Sequence, residues 1–215
     1  PDVAAREVRL RGMSGLSARI ESPEGPVELD LPLPGLYNLY NALAAIATAR
    51  QLGVPPADAA AALAGMKAVF GRTETISIGP TELSILLIKN PAGANEVLRT
   101  LALEEAPIPL WVALNDRIAD GRDVSWIWDA DFEALAERVG SVACTGTRAP
   151  ELALRLKYAG WPEEAVRIEP DPVKALDRAL AERPDRLFAL PTYTALLELR
   201  RLLAERGDAG NYWEG

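Results

Sequence analysis

The side chains able to do chemistry crowd into one stretch, Asn115-Asp116-Arg117-Ile118-Ala119-Asp120-Gly121-Arg122-Asp123-Val124-Ser125-Trp126-Ile127-Trp128-Asp129. It holds five acids and amides, two arginines and two tryptophans, and it follows the apolar run Leu110-Trp111-Val112-Ala113-Leu114. In an open α/β sheet, loops at the carboxyl ends of the strands line the ligand crevice. Charged and aromatic residues gathered in such a loop mark a site or an interface. The chain has no histidine and a single cysteine, Cys144. It therefore cannot assemble a Ser-His-Asp or Cys-His-Asp triad from its own residues. A catalytic carboxylate here works on phosphate or amine chemistry, or completes a site on a second protein.

The elements that must position this loop are legible from periodicity. Residues 1–34 read as β-rich, with alternation at Glu7–Leu10, Ser17–Glu21 and Val27–Leu31 and a turn at Ser22-Pro23-Glu24-Gly25, the pattern of a hairpin. An alanine-rich helix is predicted over 38–52, closed by Gly53, and a second over 56–65 opened by Pro55-Pro56. From about residue 74 the pattern becomes strand–helix alternation. Strands are predicted at 74–78, 83–88, 109–114, 140–144, 165–168 and 186–190, and helices at 92–103, 130–138, 149–159, 172–182 and 192–205. Runs such as Ile85-Leu86-Leu87-Ile88 and Leu187-Phe188-Ala189-Leu190 suit fully buried parallel strands. The expected fold is α/β: a Rossmann-like, mostly parallel sheet with helices on both faces, preceded by a β-hairpin and two helices. The expected domains are 1–72, the end of one domain, and 73–215, a complete second one. The chain opens on proline in a strand-like segment, as a piece of a longer protein would.

Composition narrows the function classes. The 215 residues are 49% apolar and 25% charged, ordinary for a globular protein large enough for a real core. A formal charge of −8 and a pI of about 4.8 argue against nucleic acid or an anionic membrane as partner. One cysteine excludes an internal disulfide and a cysteine-built zinc site within this chain. No apolar run approaches the ~18 residues of a membrane span.

Neither G-x-x-x-x-G-K-[ST] nor G-x-G-x-x-G occurs, so no nucleotide fingerprint is present. Asn38, within Gly35-Leu36-Tyr37-Asn38-Leu39-Tyr40-Asn41-Ala42, has two readings: a helix N-cap, or an amide that reads the edge of adenine. Trp126 and Trp128 alternate in a short strand-like segment, with two readings: one turns outward as an interface anchor, or both pack under the loop. Asp129 doubles as a candidate cap for helix 130–138. Cys144 reads as a small buried apolar residue.

The segment Gly35–Ala45, followed by Gly71-Arg72-Thr73-Glu74, resembles the end of the central ATPase domain of Mur ligases. Leu87-Ile88-Lys89-Asn90-Pro91-Ala92-Gly93, Asp120-Gly121-Arg122-Asp123-Val124-Ser125-Trp126, Thr145-Gly146-Thr147-Arg148-Ala149 and Leu190-Pro191-Thr192-Tyr193-Thr194 are similar to the MurT branch. That resemblance implies a Mur ligase C-terminal domain after residue 72 and a role in lipid II isoglutaminyl synthase. There, ATP activates the α-carboxylate of D-glutamate in the peptidoglycan stem, and ammonia from a GatD-type glutaminase subunit converts it to D-isoglutamine. It implies that Asp123 completes the partner's Cys-His pair, with Asp120, Asp129 and Asp131 as competing candidates. Asn38 would read adenine, Arg72 would contact ribose and phosphate, and Lys89 would lie near the reacting carboxyl group. It also implies ATP and Mg²⁺ in the full-length protein, with P-loop, Mg²⁺ ligands and a possible zinc ribbon upstream of this chain. The location implied is the bacterial cytoplasm, at the inner face of the membrane, on a lipid-linked substrate. Two departures stand out: Tyr37 replaces a histidine common in Mur ligases, and Leu87 stands where an acidic ribose contact is usual. On residue types alone the favoured reading of Asp123 is a cap of the following turn, or a partner for Arg122 or Arg117. Two other functions remain open: a non-catalytic docking domain for the glutaminase, and the C-terminal domain of an amino-acid-adding Mur ligase.

Overall fold

A computed structural model describes residues 1–66 and 72–209, the side chains of residues 72 and 73 excepted. The chain divides into two compact units, Pro1–Ala68 with Arg99–Glu104, and Val69–Leu98 with Glu105–Gly215.

In the first unit, strands β1 (Ala4–Leu10), β2 (Leu16–Glu21) and β3 (Val27–Leu31) form an antiparallel sheet in that order. The predicted hairpin is therefore β2–β3, and β1 extends it by a third strand. Alternation sends Leu16, Ala18 and Ile20 of β2 and Leu29 and Leu31 of β3 inward. They meet Leu39, Ala42 and Ile46 of helix α1 (Leu36–Gln51) and Ala60 of α2 (Pro56–Ala64). Gly35, at φ 89°, holds the N-cap position of α1. Asn38 thus lies inside the first turn rather than at the cap, because only glycine enters that turn without strain at such a φ.

The second unit is a six-stranded sheet of β4 (Arg72–Ile78), β5 (Thr81–Leu86), β6 (Ile108–Ala113), β7 (Val139–Thr145), β8 (Val166–Ile168) and β9 (Arg186–Pro191). The order is β4-β5-β9-β6-β7-β8. β4 is antiparallel to β5, and every other pairing is parallel. The last strand thus inserts between β5 and β6, so its apolar run is flanked by strands on both edges. Four helices accompany the sheet: α3 (Pro91–Leu101), α4 (Ala149–Tyr158), α5 (Pro172–Ala181) and α6 (Tyr193–Arg206). Trp111, Leu187 and Ala189 pack with Leu176 of α5 and Leu196, Leu199 and Leu203 of α6 in one core cluster. α4 covers β7 and β8 outside that cluster, with Ala149, Leu152 and Leu156 buried.

Two local expectations change. The helix predicted over 130–138 is a short 3₁₀ turn, Phe132–Leu135. The strand-like Trp126–Trp128 segment is a 3₁₀ turn as well, Ser125–Asp129. Tertiary donors supply the reason. The Trp161 indole N–H donates to the Phe132 carbonyl at 2.9 Å, and Arg155 donates to the carbonyls of Ile127 and Ala130 at 3.0 and 2.7 Å. Carbonyls drawn to outside donors are withdrawn from an i→i+4 ladder, and β7 begins again at Val139. Asp129 consequently caps no helix; Asp131 precedes the second turn and makes no side-chain cap bond.

Trp111 is fully buried at the centre of this sheet, whereas Ile118 is 84% exposed. Trp111→Ala should lower the unfolding free energy by roughly 3–5 kcal/mol. Ile118→Ala should change it by less than about 0.5 kcal/mol. Urea denaturation of the two variants checks both values.

Candidate functional site

The carboxyl ends of β6, β7 and β9 converge on one buried amide, Asn115, which is 1% exposed. Its backbone N–H donates to Thr192 Oγ1 at 3.0 Å, and its Nδ2 donates to Thr194 Oγ1 at 2.9 Å and to Glu198 Oε2 at 3.4 Å. Its Oδ1 accepts the Thr147 N–H at 3.0 Å. Gly146 makes this approach possible: at φ +90°, a Cβ there would stand 2.6 Å from Asn115 Oδ1 and 2.7 Å from the Leu114 carbonyl oxygen. The Thr145–Ala149 and Leu190–Thr194 motifs are thus joined through a side chain of the acid-rich loop.

The aspartates of that loop then sort by partner. Asp116 accepts from Thr147 Oγ1 at 2.8 Å and from Arg148 Nε at 2.8 Å. The Thr147 hydroxyl first, and Arg148 second, hold its carboxyl below the ordinary range. Asp120 accepts the Thr194 N–H at 2.7 Å on one oxygen and the Thr194 hydroxyl at 2.6 Å on the other. Both of its oxygens therefore serve the first turn of α6, where a carboxylate suits the orphan N–H groups and the positive end of the helix dipole. Arg117 pairs with Glu198 of the same helix. A surface depression of about 490 Å³ opens here, lined by Asp116, Arg117, Ile118, Ala119, Arg122 and Thr194.

Asp123 differs from both. It is exposed, and among the described residues its hydrogen bonding runs only to Ser125, whose N–H donates to Oδ1 at 2.8 Å. Ser125, through its hydroxyl and its N–H, holds the carboxyl below its usual range, so Asp123 is ionised at neutral pH. Neither Arg117 nor Arg122 forms an ion pair with it among the described residues. The local cap of the following turn, one of the alternatives open from sequence, is present. It leaves the carboxylate facing solvent with no partner from outside its own turn.

The other candidates lie apart. Lys89, in the loop after β5, is exposed and makes no hydrogen bond or ion pair among the described residues. Its loop and that of Asp123 follow strands β5 and β6 at the same edge of the sheet, with β9 between them. Asn38 belongs to the first unit. It is half-buried, donates from Nδ2 to the Pro34 carbonyl at 2.8 Å and accepts a long bond from Asn41 at 3.4 Å. An amide has two N–H donors and two oxygen lone pairs, so one of each remains for a base edge, and the residue fits adenine chemically. The Arg72 side chain and Gly71 lie outside the described residues. Cys144 is buried as expected, its thiol pushed up to about 12 by burial, which leaves it inert as a nucleophile.

One residue of this region was not singled out from sequence. Arg155 is 4% exposed, and its guanidinium donates to the Ile127 and Ala130 carbonyls and to Glu133 Oε2. It stacks 5.6 Å from the centroid of Trp128 and 5.5 Å from that of Phe132. Trp128 in turn is half exposed and meets Tyr158 edge-on at 5.7 Å. The available signal was periodicity: Arg155 occupies the same helical face as Ala149, Leu152 and Leu156, where an apolar residue is expected.

Comparison with known proteins gives a consistent set of relatives. The family model described as "MurT ligase C-terminal" matches residues 87–196. The chain is 41% identical over 180 residues to the protein named "Lipid II isoglutaminyl synthase (glutamine-hydrolyzing) subunit MurT" of Streptococcus pneumoniae, covering 83% of this chain and 40% of that protein. To the protein of the same name from Staphylococcus aureus it is 36% identical over 182 residues, covering 84% and 41%. The chain therefore spans about two fifths of the length of these curated relatives. A crystal structure of MurF from Acinetobacter baumannii superposes with a TM-score of 0.71 at 21% identity, over 95% of this chain and 45% of that one. That similarity shows the fold.

Two measurements test the network. Thr194→Val removes the hydroxyl between Asn115 and Asp120 at constant shape. It should cost about 1–3 kcal/mol, because a buried donor and a carboxylate oxygen lose their partner together. Asp116→Asn should destabilise at neutral pH. The depressed folded pKa of Asp116 stabilises the fold fully above the unfolded value of about 3.9, and that contribution is lost as pH falls through the lower folded value. The gap between wild-type and Asp116→Asn urea midpoints should therefore narrow from pH 7 to pH 3.

Proposed function

This chain belongs to the family of MurT ligase C-terminal domains, and from that premise we propose that it is part of the ATP-dependent amidating subunit of a lipid II isoglutaminyl synthase. In this reading the full-length protein phosphorylates the α-carboxylate of D-glutamate in the lipid II stem peptide, releasing ADP. Ammonia attacks the activated carbonyl carbon, phosphate leaves, a proton is lost and the D-isoglutamine amide remains. The ammonia is supplied by a glutaminase subunit of the GatD type, docked on the unit that carries Asp123.

The observation that supports this reading most is Asp123 itself: an ionised, exposed carboxylate oriented by Ser125, with no tertiary partner among the described residues, in a chain without histidine. Its role is to accept the partner imidazole's N–H, fix its tautomer and stabilise its cationic form while the partner's cysteine attacks glutamine. The competitor Asp120 has both oxygens engaged by Thr194. Lys89, a cation in the loop after β5 with no ion pair among the described residues, would stabilise the charge developing on the reacting carboxyl group. Asn38 and Arg72 would hold adenine and the ribose–phosphate portion of ATP. The chain contains no G-x-x-x-x-G-K-[ST] segment, so it should not turn over ATP alone. A second reading draws on the Asp123–Ser125 bond: a docking domain in which Asp123 only caps its turn.

Asp123→Asn in the full-length protein, co-purified with its glutaminase, separates the two. The complex should form, glutamine hydrolysis should fall by about 10²–10⁴-fold, and amidation driven by free ammonia at high pH should persist. Wild-type glutamine hydrolysis in Asp123→Asn, with loss in Asp129→Asn or Asp131→Asn, would assign the role to that exposed acid instead. Normal rates in all three would leave only the docking function. For the nucleotide, Asn38→Ala should raise the KM for ATP by an amount equivalent to roughly 1–3 kcal/mol. An unchanged KM in Asn38→Ala combined with Arg72→Ala would remove both residues from the ATP site.

A further inference from the structure

We propose that Arg155 is the positioning residue for Asp123, setting the carboxylate at the place where a partner's imidazole meets it; this rests on the reading of Asp123 given above. The loop is clamped on both sides of Asp123. Before it, Asp120 is tied to the first turn of α6 through Thr194. After it, the clamp is Arg155 on α4, whose guanidinium donates to Ile127 at 3.0 Å, to Ala130 at 2.7 Å and to the Glu133 carboxylate at 2.8 Å.

The connection to Asp123 is short. Ile127 is the buried centre of the 3₁₀ turn Ser125–Asp129. Ser125 opens that turn, and its N–H holds Asp123 Oδ1 at 2.8 Å. Fixing the Ile127 carbonyl therefore fixes the turn, the direction of the Ser125 N–H and the carboxylate that accepts it. Apart from Arg155, no side chain of another element among the described residues hydrogen-bonds the backbone of this turn.

The choice of residue is chemically specific. A guanidinium is planar and presents its N–H groups in a fixed fork, so it can serve three oxygens while its faces lie against aromatic rings. Trp128 and Phe132 supply those rings at 5.6 and 5.5 Å. A lysine at this position keeps the charge but offers one compact ammonium, unable to reproduce that geometry. An apolar residue would serve the α4 stripe better if packing were the sole requirement, since a buried cation demands compensation for its lost water. The arginine instead fits a loop whose exact placement matters.

The test uses the full-length protein in complex with its glutaminase subunit and compares Arg155→Lys, Asp123→Asn and the double variant. Arg155→Lys should lower kcat for glutamine hydrolysis by about 10- to 100-fold, the scale of a misplacement near 1 Å. The KM for glutamine should change by less than about twofold, and ammonia-driven amidation should stay at the wild-type rate. The double variant should be no slower than Asp123→Asn alone, because a residue acting through Asp123 has nothing to position once that carboxylate is gone. Multiplying losses would overturn the proposal, as would a wild-type rate in Arg155→Lys. A wild-type rate in Asp123→Asn would overturn the triad reading and this proposal together, a result distinct from multiplying losses. Should Arg155→Lys fail to fold, Glu133→Gln weakens the same clamp at its exposed acceptor. It should lower the rate in the same direction and show the same non-additivity; an unchanged rate there counts against Arg155.

Discussion

The structure of the second unit hangs on the first turn of α6, where Thr194 links a buried amide to a carboxylate. Asn115 Nδ2 donates to the Thr194 hydroxyl, and that hydroxyl donates onward to Asp120. Thr194 also gives its backbone N–H to Asp120. Each bond in such a chain contributes about 0.5–1.5 kcal/mol net, and those to the carboxylate more. The larger consequence is negative. Asn115 is almost wholly enclosed, so removing one partner strands a polar group where water cannot replace it. The chain also joins distant parts of the sequence: β9 is the last strand along the chain, yet it sits between β5 and β6. Asn115, just after β6, bonds residues that follow both β7 and β9.

With that hub in place, the acid-rich loop is a set of carboxylates with different duties. Asp116 fastens the loop to Thr147 and Arg148 at the start of α4. Asp120 fastens it to α6. Asp123 fastens only its own turn. Residue type does not distinguish the three; the partner does. A carboxylate engaged on both oxygens is a structural element, and one engaged from within its own turn still has capacity for a second molecule.

The sequence made the sheet legible because its signals are local. Leu110–Leu114 and Leu187–Leu190 are short apolar runs, and buried parallel strands of this kind match β6 and β9 closely. Asp171 ahead of Pro172 likewise marks the start of α5, where its side chain accepts the Val173 and Lys174 N–H groups. The segment 125–138 was misread for a physical reason. Alternation at Trp126 and Trp128 suggests a strand and residues 130–138 suggest a helix, but Trp161 and Arg155 take carbonyls that regular elements there would need. Both donors lie at least 25 residues away in sequence, and periodicity has no access to them. The same limit applied to the aspartates. Motif position singled out Asp123, but what sets it apart from Asp120 is a hydrogen bond spanning 74 residues.

A carboxylate that must serve a partner's imidazole faces two opposed requirements. It has to remain charged, which favours water or hydrogen-bond donors around it. It also has to be available, which disfavours an arginine clamp, since a bidentate pair would compete with the incoming ring. Ser125 satisfies both: its neutral donors hold the Asp123 carboxyl below its usual range without introducing a competing cation. In the proposed complex, where a partner covers the loop, the same donors would matter more. Excluding water raises the cost of the charged form, and a carboxylate relying on solvent alone would tend to pick up a proton and lose its hold on the imidazolium. In the proposed complex, with its N–H donor built into a turn whose Ile127 carbonyl Arg155 holds, Asp123 would carry part of its solvation into the interface. Rigidity and charge at this position therefore have a common origin in the backbone of Ser125–Asp129.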